Sequence, residues 1–135
     1  MAEFILKHLC HKNGLRDTFQ IDSAAVSTEE IGNDIYPPAK RKLREKGIPF
    51  DFHAARLITQ RDYLDYDYII CADHSNLRWL SRIIGEDSMH KVSLMMDWIN
   101  ENRDVADPWY TGDFESAYQD ILSCCEAILS RLCSK

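Results

Sequence analysis

Asp67-Tyr68-Ile69-Ile70-Cys71-Ala72-Asp73, running on into His74-Ser75-Asn76-Leu77, decides the fold. From Tyr68 to Ala72 no position is strongly polar, so both faces of an extended segment here must meet nonpolar neighbours. That pattern marks a strand buried inside a parallel sheet, not the alternating pattern of a half-exposed one. A helix begins directly afterwards: Asp73 or Ser75 supplies the capping oxygen, and Gly85 stops the helix after about Ile84.

Outward from this point, strands and helices alternate. Downstream, Lys91 to Met96 predicts a further strand, and an irregular acidic segment leads to Asp107-Pro108-Trp109-Tyr110. In the stretch from Phe114 to Leu132, the residues Phe114, Ala117, Ile121, Leu122, Cys125, Ile128, Leu129 and Leu132 form one stripe of a long final helix. Upstream, Asp62 to Asp67 predicts a short helix or turn. Pro37-Pro38 opens a helix over Ala39 to Lys46 that Gly47 ends, and Phe19 to Val26 predicts a strand. A first helix from Ala2 to about His11 carries Phe4, Ile5, His8 and Leu9 at helical spacing and breaks at Asn13-Gly14. No Ser, Thr, Asp or Asn precedes Ala2, so the first amides of that helix have no local partner. The order predicts a doubly wound, flavodoxin-like α/β fold, a parallel sheet with helices on both faces, and ligands at the carboxyl ends of the strands.

Whole-chain properties fit that reading and exclude others. A chain of 135 residues, 45% hydrophobic, suits one domain spanning 1–135. The net charge of -6 comes from scattered acids and bases with no basic stripe, so nucleic acid is not an expected partner. No apolar run approaches the roughly 20 residues that span a bilayer, and the first residues lack the basic region of a signal peptide; a cytoplasmic protein without a membrane partner is expected. The five cysteines, Cys10, Cys71, Cys124, Cys125 and Cys133, follow no disulfide or zinc spacing, so free thiols and no metal or cofactor are expected.

Several blocks, in order and spacing, resemble the low-molecular-weight protein tyrosine phosphatase family. They are Ile21-Asp22-Ser23-Ala24-Ala25, Glu30-Ile31-Gly32-Asn33, Gly47-Ile48-Pro49, His53-Ala54-Ala55-Arg56, the Asp67–Asp73 run, Ser75-Asn76-Leu77, Asp107-Pro108-Trp109-Tyr110, and Phe114-Glu115 with Tyr118. The resemblance implies hydrolysis of phosphotyrosine in proteins, or of small aryl phosphates, through a cysteinyl-phosphate intermediate. It implies Asp107 as the acid that protonates the leaving phenolate. Trp109, where the family has a tyrosine, and Tyr110 would wall the substrate ring, with Glu30 and Asn33 on the rim beside Glu29, where an aromatic is common. Ser23 and His53 resemble a supporting shell around the phosphate loop, and Asp73 an acidic residue near the site that also suits a helix cap.

The family's nucleophile sits in a loop of the form Cys-x5-Arg between a first central strand and a helix, where converging amides lower the thiol pKa and hold phosphate oxygens. In the family a segment like Met1-Ala2-Glu3-Phe4 follows that loop. The expectation is therefore a domain truncated at its N-terminus, lacking the first central strand and inactive as it stands. The buried side chains of such a strand contribute roughly 6–15 kcal/mol, so contraction of the sheet, a strand from another copy, or self-association through strand edges is expected. Cys10 to Arg16 and Cys125 to Arg131 fit Cys-x5-Arg, but the first closes a helix and the second lies within one, where amides are already bonded. His8, Cys10 and His11 lack a distant fourth metal ligand, and Cys124-Cys125 reads as helix core. A non-catalytic binding module that keeps the aromatic rim is the alternative. An arsenate reductase on the same fold is a weaker one, because Cys71 has no neighbouring cysteine for a disulfide relay.

Overall fold

The computed structural model describes residues 1–15, 17–26, 37–51, 56–106 and 112–133. Its elements, in chain order, are α1 (Ala2–Lys12), α2 (Pro37–Glu45), α3 (Gln60–Asp65), β1 (Ile69–Cys71), α4 (His74–Ile84), β2 (Val92–Leu94), a 3₁₀ turn (Met95–Ile99) and α5 (Phe114–Cys133).

β1 and β2 pair in parallel, with Ile69 opposite Val92, Ile70 opposite Ser93 and Cys71 opposite Leu94. The apolar run meets nonpolar side chains on both faces, but its burial is less than its composition predicts: Cys71 is buried, Ile69 and Ile70 are half-buried, and Tyr68 is exposed. Ile69 and Cys71 join Ile58, Leu80, Leu77, Val92 and Leu94 under α4. Ile70 points the other way, into a larger core of Phe4, Ile5, Leu43, Met96, Ile121, Cys124 and Cys125 supplied by α1, α2, the 3₁₀ turn and α5. Helices therefore cover both faces of a parallel sheet, the doubly wound arrangement.

The helix ends obey local chemistry. Thr59 and Asp62 form a reciprocal capping box at the start of α3, and the Asp73 side chain accepts the Asn76 amide at 2.7 Å to cap α4. Gly47 and Gly85, at φ of 69° and 76°, take positive-φ conformations open to glycine where α2 and α4 end. Met1 precedes α1 without a side-chain cap.

Four expectations shift. The short helix or turn anticipated over Asp62 to Asp67 runs from Gln60 to Asp65, because Thr59 caps it two residues earlier. The helix anticipated from Ala39 begins at Pro37, since proline is tolerated where no amide bond is needed. The strand anticipated over Lys91 to Met96 ends at Leu94, where Asp97 Oδ2 accepts the Leu94 amide at 3.3 Å and the chain winds into the 3₁₀ turn. Phe19–Val26 forms no named strand. Its extended chain makes one parallel bridge, Ala25 with Leu57, through Ala25 N–H to Arg56 O at 2.6 Å and Ile58 N–H to Ala25 O at 2.9 Å. A strand is defined by its partner; this segment has a bridge's worth of partner and no more among the described residues. No described helix is long and apolar enough to cross a membrane.

Candidate active site

In a doubly wound sheet the functional end is the one to which the strands' carboxyl termini point. At that end β1 passes into Asp73, the cap of α4. The segment 101–106 folds back onto the same place. Val105 donates its amide to the Ala72 carbonyl at 3.1 Å, and Ala106 donates to Oδ2 of Asp120, on α5, at 3.0 Å. Arg103 grips Asp120 with a two-pronged contact, Nη1 to Oδ2 and Nη2 to Oδ1, each 2.8 Å. His74, in the first turn of α4, donates its backbone amide to Asp104 Oδ1 at 3.1 Å, and its ring Nδ1 contacts the same oxygen.

Electrostatics follow this geometry. The Asp120 carboxyl is held below its ordinary range by the hydrogen bond from Arg103, with a further contribution from the Ala106 amide, and the Arg103 guanidinium is pushed up in return. Both groups are therefore charged throughout the neutral range.

A second cluster joins the start of α1 to the extended 19–26 segment. Glu3, buried at 7% exposure, accepts from Ser23 Oγ at 2.6 Å and from Lys7 Nζ at 2.6 Å. Asp22, next to Ser23 in the chain, takes Arg56 Nη2 at 3.1 Å, while Arg56 Nη1 reaches Asp62 at 2.9 Å. The Arg56 bond lowers the Asp62 pKa, against burial and with help from Thr59. These contacts fix Ser23 relative to α1 and the 56–59 segment relative to α3.

A third feature is an open cavity of about 470 Å³ between α2 and the start of α5, with Pro38 and Phe114 among its walls. Its charges are mostly spent on one another. Lys42 reaches Glu45 at 2.8 Å and Glu115 at 3.2 Å, and Lys46 reaches Glu115 at 3.0 Å. Hydrogen bonds from Gln119, Lys46 and Lys42 pull Glu115 down to about 2.

Of the residues singled out in the sequence, Ser23 lies in the Glu3 cluster and Asp73 is the α4 cap. Asp107, Trp109, Tyr110, Glu30, Asn33 and His53 lie outside the described residues. Pattern reading passed over Glu3, Arg103, His74, Asp104 and Asp120, because each acts through partners distant in the chain.

The thiols are placed as packing groups. Cys10 lies in the last turn of α1, 2% exposed, and its carbonyl accepts the Leu15 amide at 2.7 Å. The Asn13, Gly14 and Leu15 amides at that helix end are already bonded to the carbonyls of its last turn. Burial raises the Cys10 pKa and pushes the thiols of Cys71 and Cys124 up to about 11 and that of Cys125 to about 12. Cys124 Sγ packs 3.4 Å from the Met96 sulfur. Cys133 is exposed at the end of α5. No group of three or more His, Cys, Asp or Glu side chains converges as a metal cage among the described residues.

Comparison with known proteins gives these features a context. The model of a family described as low molecular weight phosphotyrosine protein phosphatase matches residues 1–135. Low molecular weight protein-tyrosine-phosphatase YfkJ of Bacillus subtilis is 35% identical over 134 residues, covering 98% of this chain and 86% of its own. The Mus musculus low molecular weight phosphotyrosine protein phosphatase is 36% identical, covering 97% and 85%. The crystal structure of YfkJ superposes with a TM-score of 0.92 at 34% identity, covering 98% of this chain and 85% of that one. That of SP-PTP, a low molecular weight protein tyrosine phosphatase from Streptococcus pyogenes, superposes with a TM-score of 0.85 at 33% identity, covering 97% and 82%.

Proposed function

This chain belongs to the low molecular weight phosphotyrosine protein phosphatase family, and from that membership we propose that it supplies the general acid and the substrate wall of a phosphotyrosine phosphatase, while none of its own thiols is the nucleophile. The observation that carries the proposal is the segment 103–106, tied at the carboxyl end of β1 by Val105 to the Ala72 carbonyl and by Ala106 to Asp120; Asp107 follows it directly in the sequence.

The reaction then runs in two steps. A thiolate attacks the phosphorus of a phosphotyrosine side chain; the bond to the phenolic oxygen breaks, and Asp107 gives that oxygen its proton. Asp107, now a carboxylate, takes a proton from water as the water attacks the cysteinyl phosphate, and phosphate leaves with the thiolate restored. Trp109 and Tyr110 wall the aromatic ring, with Glu30 and Asn33 on the rim, and Ser23 and His53 support the phosphate-binding elements. Every partial charge in this scheme is carried by protein groups and substrate, so no metal enters it.

The nucleophile has to be a thiol ionised near neutrality at a converging set of amides. Cys71, Cys124 and Cys125 are buried with strongly raised pKa values, and Cys10 lies buried in the last turn of α1 with its pKa raised by burial. Cys133 closes a helix instead of opening one. The 135 residues by themselves therefore do not turn over phosphate esters; a strand and a Cys-x5-Arg loop outside them would provide the cradle. Cys71, packed under α4, is equally unsuited to the thiol relay of an arsenate reductase.

The test is a chain extended upstream by a strand and a Cys-x5-Arg-Ser-Pro loop, assayed on a phosphotyrosine peptide. It is expected to turn over, and Asp107→Ala is expected to lower kcat by about 10²–10⁴-fold, the usual worth of a general acid. An extended chain unaffected by Asp107→Ala would refute the assignment of the acid.

A further inference from the structure

We propose that Asp120, gripped by Arg103, is the positioning residue for the general acid: it fixes the Val105–Ala106 peptide, one residue short of Asp107, and so holds the chain from which the acid follows. The inference rests on the phosphatase reading of Asp107.

Three consecutive residues are each held by a different element. Asp104 is tied to His74 of α4, Val105 to the Ala72 carbonyl at the end of β1, and Ala106 to Asp120 of α5. These ties are not equivalent. The His74–Asp104 contact joins side chains about half exposed (51% and 44%), where water and salt weaken it. The Val105 bond is made by backbone alone and survives any side-chain change. The Asp120 contact is the one nearest residue 107 and is mostly sheltered, the carboxylate being 15% exposed.

Oδ2 of Asp120 accepts from both Arg103 and Ala106, so one carboxylate joins α5, the arginine and the loop backbone into a single unit. Arg103 has two jobs. Its fork fixes the plane of the carboxylate, and its charge offsets a negative group partly withdrawn from water. Lysine could supply the charge but not the fork. A carboxyl that must meet a leaving oxygen within hydrogen-bond reach is sensitive to small displacements, and a 1 Å error can cost about 10² in rate.

The anchor is tested first by amide hydrogen exchange on the 135-residue chain. Asp120→Ala is expected to speed exchange in a peptide spanning 101–111 by about tenfold or more, while β1 and β2 amides keep their rates; Asp120→Asn, which retains one acceptor, lies between. Uniform acceleration throughout, or none in 101–111, would overturn the proposal. The link to the acid is read in the upstream-extended chain by comparing leaving groups. Asp120→Ala should lower kcat about tenfold more for phenyl phosphate, whose leaving oxygen needs a proton, than for p-nitrophenyl phosphate, with KM little changed. Equal losses on both substrates would show that Asp120 does not act through the acid. A parent extended chain without activity would refute the phosphatase reading instead, and with it the link to the acid, while the exchange rates alone would decide the anchor.

Discussion

The two faces of the β1–β2 sheet are packed to different depths. Under α1, α2 and α5 lies a continuous core that includes the fully buried Ile5, Leu43, Met96, Cys124 and Cys125. Under α4 the buried residues, among those described, are Ile58, Cys71 and Leu80, and the surrounding Ile69, Leu77, Ile83, Ile84, Val92 and Leu94 are only partly covered. The difference teaches where stability resides and where function can be attached. The deep face holds the fold; the shallow face ends in the Asp73 cap and in His74, which meets Asp104 of the 101–106 segment.

The most severe way to challenge this comparison is to delete volume on each face. Ile5→Ala on the deep face is expected to cost about 3–5 kcal/mol, because its tightly packed neighbours cannot collapse into the hole. Leu80→Ala on the shallow face, though Leu80 is 1% exposed, should cost nearer 2–3 kcal/mol, since half-covered neighbours can relax. Urea unfolding of both variants measures the difference, and equal losses would break the contrast.

Acid should bring the contrast out without mutation. Asp62 and Asp120 have pKa values below their unfolded ones, the first through its bond with Arg56 and the second through Arg103. Their contribution is complete above about pH 4 and is lost as pH falls further through the folded values. Thermal melts should therefore be flat from pH 7 to about pH 5 and decline below pH 4. Asp120→Asn should make that decline shallower; an unchanged decline would mean that Asp120 carries none of it.

Thr59→Ala removes the capping oxygen of α3, whose amide bond from Asp62 is 3.2 Å, and is expected to cost about 1 kcal/mol by the same unfolding measurement. The smallest effect is at Trp79, which stands 46% exposed with Arg82 stacked on it. Trp79→Ala should change stability by no more than about 0.5 kcal/mol, and a larger loss would mean that the outer surface of α4 has a partner.

The fold was legible wherever a signal was local. The unbroken apolar run at Ile69–Cys71 announced a strand with apolar neighbours on both faces, and Asp73, Gly47 and Gly85 marked helix ends through cap chemistry that needs no distant partner. Phe19–Val26 had strand composition, yet composition cannot supply the neighbour whose bonds make a ladder, and only the bridge at Ala25 formed. The same divide applies to the site. Asp107-Pro108-Trp109-Tyr110, proposed above for the site, stands out as four consecutive residues with a family order. Arg103 and Asp120 are 17 positions apart, and nothing in either neighbourhood announces the other. The one available hint was Asp120 itself, a carboxylate beside Ile121 on the apolar stripe of a long helix, where a charge needs a partner.

The measurement that bears most directly on the account is steady-state hydrolysis of p-nitrophenyl phosphate by the 135-residue chain alone, at mildly acidic and neutral pH. The account predicts no turnover above the spontaneous rate, because every buried thiol stays protonated and Cys133 lacks a cradle of amides. Turnover abolished by alkylating one of the five cysteines would contradict it and would identify that thiol as the nucleophile.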